Sequence, residues 1–232
     1  MSQDKKLSQI GKLAEQYTSK PALRSLLQLI PGWGSADVLL QHRADEIHAD
    51  RLRTFFDVLG EGKHELTEEL IQSEDFLHCF FMTTRAALNT RQREKIKMFA
   101  KLLNSSLVPG SFSSTDEYEE YLGILNDLSY RELIILSMLE SYESRFVKSA
   151  GQNELQRAYM FWELFTDELE KNIGIHKDEL IGALTRLART GCYEILIGGY
   201  TDTGGEGVGK LTHTYFRLKK LIETKGSSEL NQ

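Results

Sequence analysis

Proline is scarce in this chain, with Pro21, Pro31 and Pro109 the only three. Few enforced breaks then interrupt any helix the rest of the pattern favours. Cysteine is scarcer still: Cys79 and Cys192 stand alone, without a CxxC partner, which excludes a disulfide framework and a cysteine-rich metal knuckle. Two buried thiols in a reducing compartment are the plain expectation. Long apolar runs are missing as well, and none approaches the roughly 18 residues that span a bilayer. The amino-terminal MSQDKKLSQIGKLAEQ spreads charge throughout and has no apolar h-region. A cytoplasmic chain without an integral membrane segment is expected. A basic excess is also lacking. Lys and Arg total 28 against 34 Asp and Glu, for a formal charge of −6. Residues 1–127 carry 15 bases and 19 acids, and residues 128–232 carry 13 and 15. A domain that lives on phosphate contacts usually has a basic surplus or a basic face, and neither half has a surplus.

What is present is helical period. At 232 residues the chain can bury one large core or two small ones without staples. Apolar residues recur at three and four through the first hundred positions, as in packed amphipathic helices. Leu23, Leu26, Leu27, Leu29 and Ile30 lead into Pro31-Gly32, a stop signal. A second helix is expected from about Ser35 to Leu59, with Leu39, Leu40, Ile47, Leu52, Phe55, Phe56 and Leu59 inward, ended by Gly60 and Gly62. The stretch from Lys63 to Leu107 reads as three more helices, the second capped by Ser73 and the third by Thr90. NSSLVPGSFSSTDEY, residues 104–118, is rich in Ser, Pro and Gly and reads as a linker. No internal repeat, low-complexity tract or sustained heptad is present.

Beyond the linker the pattern gives a short helix, then one capped by Ser129 and carrying Leu133, Ile134, Leu136 and Leu139. A single helix over ELQRAYMFWELFTDELEKNIG follows, ended by Gly174. The next has Leu180, Ile181, Leu184, Leu187 and Ala188 on one face and Gly191 as its stop. CYEILIG and VGKLTHT then flank a glycine-rich turn and predict a two-stranded hairpin.

LIGALTRLARTGCYEI resembles the third helix and first wing strand of many bacterial winged-helix domains, and LTHTYFRLKKLI resembles the close of that domain. Tyr215 stands where glycine is usual in the closing pattern. The resemblance covers about residues 128–224 and implies a fold, not an activity. In the other half, LIPGWGSADVLL, RLRTFFDVLGE, SEDFLHCFF and REKIKMFAKLLNSSL are similar to a bacterial helical family with no established activity, over about residues 20–107. Together these imply a mainly α chain: a helical bundle over 1–107, a linker over 108–118, a winged helix with a small two-stranded β-hairpin over 119–226, and a disordered tail over 227–232.

The chemical motifs are weak. Gly204, four residues, Gly209 and Lys210 nearly spell a phosphate loop, but Leu211 takes the place of the magnesium-binding Ser or Thr. A strand rather than a helix is expected after the loop, and only 22 residues follow Lys210, too few for the rest of a nucleotide-binding sheet. A wing turn is the simpler reading. Glu61 and His64 have ExxH spacing but no second such pair, and the His64-Glu65 start of an HExxH has Glu68 where the second His belongs. His78 and Cys79 are neighbours on a helix and diverge by about 100 degrees. No metal site and no cofactor are expected. There is no GxSxG and no credible Cys–His pair, so a non-enzymatic protein is the expectation.

The helix from Lys177 to Thr190 would be the recognition helix. Its solvent face by period holds Asp178, Glu179, Gly182, Thr185, Arg186 and Arg189. Recognition helices present N-terminal residues to base edges; here those are two acids and a glycine. Lys177, Thr185, Arg186, Arg189 and Lys210 are the candidate nucleic-acid contacts, toward the phosphate backbone. Ile30, Pro31, Trp33, Leu39 and Leu40, around an apolar turn, are the candidate partner-interface residues. Two readings stay open. One is a bacterial accessory or regulatory protein whose winged helix binds nucleic acid weakly while the bundle mediates assembly. The other is a protein–protein adaptor of a defence or toxin-type complex with no DNA contact. A third, membrane perturbation by the apolar turn, lacks the flanking Lys and Arg density of a membrane-surface helix. A protein partner or homo-oligomer is expected in either of the first two.

Overall fold

The computed structural model of the chain describes residues 9–30, 38–62, 66–196 and 207–223. It is mainly helical with a small two-stranded antiparallel sheet. The chain divides into two compact units, Met1–Gly123 with Leu221–Gln232, and Ile124–Lys220. The residues expected as a linker, 108–118, lie within the first.

The first unit contains α1 (Gln9–Gln16), α2 (Pro21–Gln28), α3 (Val38–Gly60), α4 (Glu68–Gln72), α5 (Glu74–Leu88), α6 (Arg93–Ser106) and the greater part of α7 (Thr115–Asp127). Its core is aromatic. Phe55 and Phe56 of α3, Phe80 of α5 and Phe99 of α6 are fully buried, and α3 meets α5 ring against ring. Phe56 stands edge-on to Phe55 at 5.6 Å and to Phe80 at 6.1 Å between centroids, the arrangement the ring quadrupoles favour. Polar ties finish the packing. The Tyr17 hydroxyl donates to Asp57 at 2.7 Å, Lys20 Nζ donates to the Gly60 carbonyl at 2.8 Å, and Thr83 bonds Tyr118 in the interior.

Local signals explain most boundaries. Pro21 opens α2 where its missing N–H costs nothing. Ser73 ends α4 and caps α5, its hydroxyl accepting from the Phe76 amide. Thr90 does not cap α6: Gln92 occupies the cap position, and the Thr90 hydroxyl donates back to the Ala86 carbonyl at 2.9 Å. Ile47, expected inside α3, is exposed, and Ala49 with Leu52 continues the buried face instead. The side chains of Leu39 and Leu40 lie outside the described residues.

The second unit is organised on α8 (Tyr130–Arg145). With it are α9 (Glu154–Tyr159), α10 (Trp162–Ile173), α11 (Lys177–Arg189), β1 (Tyr193–Ile195), β2 (Gly209–Leu211) and the greater part of α12 (His213–Ile222). A full capping box starts α8: Ser129 Oγ accepts from the Glu132 amide, and Glu132 accepts from the Ser129 amide at 2.8 Å. The single helix expected over 154–173 is two. Phe161 leaves helical geometry at φ −124°, and the break turns the consecutive Phe161 and Trp162 both into the core. Gly174 ends α10 in the left-handed region at φ 65°, where a side chain would be strained.

Three glutamates of α8 hold the other elements. Glu132 receives Arg186 of α11; Glu140 receives the Tyr215 hydroxyl at 2.9 Å and Lys219 Nζ at 2.6 Å, both from α12. Glu143 accepts the Leu211 amide of β2 at 2.9 Å and pairs with Arg157 of α9 at 3.3 Å. The hairpin has β1 and β2 antiparallel, with Tyr193 opposite Leu211 and Ile195 opposite Gly209. A side chain at Gly209 would run into the Glu194 carbonyl and the Tyr193 ring. The strand after the near phosphate loop is present: Gly209 and Lys210 lie within β2, not at a helix N-terminus as phosphate binding in such a loop requires. The turn itself, 197–206 with Gly204, lies outside the described residues, as does the expected tail over 227–232.

Candidate nucleic-acid interface

The α11 helix starts at His176, whose ring nitrogen caps it loosely through the Asp178 amide at 3.5 Å. Asp178 and Glu179 occupy the first turn, where negative charge suits the helix dipole. Leu180, Ala183, Leu184 and Leu187 are buried, and Asp178, Glu179, Gly182, Thr185, Arg186 and Arg189 are exposed. The solvent face therefore follows the 3.6-residue period. Ile181 departs from it. Assigned by spacing to the inner face, it is 48% exposed, because Leu180, Ala183 and Leu184 already fill the contact with the core.

The candidate contacts differ in what holds them. Arg186 Nε donates to Glu132 at 2.9 Å; the arginine side chain is 57% exposed, but its carboxylate partner is only 8% exposed. Burial raises the pKa of Glu132. The Ser129 amide, the Ser129 hydroxyl and Arg186 outweigh that, so the carboxyl sits below its ordinary value. Arg186 is one of the groups that keep a buried carboxylate ionised. Lys210 is half-buried and pairs with Glu194, its cross-strand neighbour, at 3.3 Å. The Thr185 hydroxyl donates to the Ile181 carbonyl at 2.8 Å. Arg189 is exposed with no partner among the described residues. The side chain of Lys177 lies outside them.

Of the residues around the apolar turn, Ile30 is buried in its own unit. Pro31 and Trp33 lie outside the described residues. Among the described residues no helix is long and apolar enough to cross a membrane, and no three His, Cys, Asp or Glu side chains converge as a metal set would. Burial raises both thiols; Asp75 and Glu119 push Cys79 further, to about 11, so both stay protonated near neutrality.

Two features of the site escape a reading by period. Glu132 as the partner of Arg186 lies 54 positions away; the Ser129-x-x-Glu132 capping box flags the glutamate but not its second task. The exposure of Ile181 depends on neighbours that no spacing rule sees. The chain matches no known protein family, no curated protein and no solved structure.

Proposed function

We propose that this chain is a non-enzymatic protein–protein adaptor, and that its second unit is a winged helix presenting α11 to a protein partner. The order of α11, hairpin and α12 supports the winged-helix reading, together with the antiparallel pairing of β1 with β2. One observation carries the choice of partner. Arg186, the central cation of the candidate face, is tied to the buried Glu132, while Ile181 stands in solvent beside Asp178. A face with its cation committed inward, acids at its leading end and an apolar side chain outward suits a protein surface better than a phosphate backbone.

Weak backbone binding of nucleic acid is the second reading, favoured by Arg189, exposed and without a partner among the described residues. The two separate by experiment. A photo-crosslinking residue at position 181 is expected to yield protein adducts in the native host, and the purified chain is expected to leave a labelled 30-base-pair duplex unbound in 50 mM salt. Duplex binding that falls steeply with salt and is abolished by Arg189→Glu would overturn the adaptor reading.

A further inference from the structure

The helix α5 is buried almost all round, through Phe76, Cys79, Phe80, Thr83, Ala87 and Leu88. Its remaining narrow face should be polar if only water covers it. That face instead carries Phe81 and Met82, 42% and 41% exposed, between His78 and Arg85. The spacing 78, 81, 82, 85 is one helical stripe. His78 Nε2 meets Glu119 of α7 at 2.6 Å, which sets the start of α7 beside the stripe, and α7 exposes Asp116, Glu119 and Glu120 there.

Next to the stripe, a cavity of about 310 Å³ opens between the start of α5, the end of α6 and the start of α7. Phe76, Phe112, Val108 and Leu70 supply its apolar lining, and Asp75 and Cys79 line it from α5. Cys79 and Met82 are three residues apart on α5, so cavity and stripe are continuous on that helix. Its volume exceeds that of one large apolar side chain, and falls at the lower end of the range for ligand pockets, about 300–1,000 Å³.

Charge selects the occupant. Apart from Arg85 at the far end of the stripe, the segments that build this surface, 66–85 and 102–123, contain no lysine and no arginine. They carry Glu69, Glu74 and Asp75 on one side and Asp116, Glu119 and Glu120 on the other, all exposed. The field reaches the cavity, since Asp75 and Glu119 both raise the Cys79 thiol. An apolar stripe beside an anchoring cavity, within an acidic rim, matches a helix with apolar residues along one side and lysines and arginines along its flanks. A neutral or acidic helix would leave the rim carboxylates uncompensated or repelled.

We infer that the α5–α7 face of the first unit is a docking groove for a basic amphipathic helix of a partner protein, seated on Phe81 and Met82 with one apolar side chain in the cavity. This surface lies in the other unit from α11 and stands independently of the reading given above.

A fluorescein-labelled 18-residue peptide of leucine and lysine at helical spacing tests it on the full chain by anisotropy. The control peptide has the same composition with leucine and lysine strictly alternating. Expected is at least tenfold preference for the helical peptide. Phe81→Ser with Met82→Ser is expected to weaken it tenfold or more with unchanged helical circular dichroism. Asp116→Lys with Glu120→Lys is expected to do the same through charge. Equal binding of the alternating peptide, or a change under twofold in the uncharged double variant, overturns the groove, because either outcome leaves only charge attraction without a shaped apolar seat.

Discussion

The acids of α8, three in sixteen residues, and the acids of α7, five in thirteen, are put to different uses. Glu132, Glu140 and Glu143 on α8 turn inward and hold α11, α12, β2 and α9. Asp116, Glu119 and Glu120 on α7 are exposed. In the second unit these carboxylates join elements beside ring contacts such as Tyr142 with Phe165, whereas in the first α3 meets α5 through Phe56 and Phe80 and, apart from Glu119 with His78, these α7 carboxylates are left for solvent or a partner. A surface potential is informative only after the structural charges have been subtracted from it.

The contrast can be broken by substitutions that remove each kind of joint. Phe56→Ala takes a fully buried ring from the contact of α3 with α5, and about 3–5 kcal/mol of stability is expected to go with it. Urea unfolding followed by hydrogen exchange, which reads the amides of each unit separately, should place that loss in the first unit. If Phe56→Ala loosens the second unit equally, the ring contacts of Phe56 do not act within the first unit alone.

Glu143→Ala comes next. It leaves the Leu211 amide without its acceptor and Arg157 without its partner, both little exposed, at an expected cost of about 2–4 kcal/mol. Glu143→Gln retains an acceptor and should lose less. Equal losses in the two variants would mean the hydrogen bond contributes nothing.

The pH dependence sharpens the same point within one helix, with smaller effects. Burial pushes the Glu143 carboxyl above its ordinary value, more than the Leu211 amide and Arg157 pull it down. The folded state therefore takes up a proton first. Wild type should gain stability relative to Glu143→Gln as pH falls from neutrality through the raised folded value, levelling below the ordinary carboxylate range near 4.5. Glu132 has the opposite sign. Its lowered folded value contributes stability above the ordinary range, which is lost as pH falls through that lowered value. Thermal melts of wild type, Glu143→Gln and Glu132→Gln from pH 7 to pH 3 should give differences of opposite slope. Parallel curves would refute the assignment.

The smallest effect belongs to the face of α5. Phe81→Ala removes an exposed ring and should change unfolding free energy by less than about 0.5 kcal/mol, as exposed substitutions do. A loss near that of Phe56→Ala would show that Phe81 belongs to the core.

Periodicity made much of this legible. The six residues placed on the solvent face of α11 are all exposed, Ser129 and Ser73 cap the helices they were expected to cap, and the hairpin forms between the expected strands. What stayed hidden depends on neighbours in space. Ile47 and Ile181 fit their inner faces by spacing and are exposed because other side chains fill those contacts. The break at Phe161 follows from two adjacent aromatics both going inside, which no 3.6-residue count anticipates. Counting charge by halves likewise concealed the α5–α7 face, since the base-rich run from Arg91 to Lys101 offsets its acids in the total while lying elsewhere along the chain.

The bond from Leu211 to Glu143 has one more consequence. Ladder bonds run from the Leu196 amide to Val208 and from the Thr212 amide to Cys192, so by alternation the Leu211 amide points away from β1, toward the open edge of the sheet. An unpaired edge is a template for strands of other chains, a common route to aggregation. Here a glutamate from α8 plugs it at Leu211, the acceptor that a third strand would need to displace. Among the described residues the sheet has two strands, and on the β2 side the Leu211 amide is already occupied.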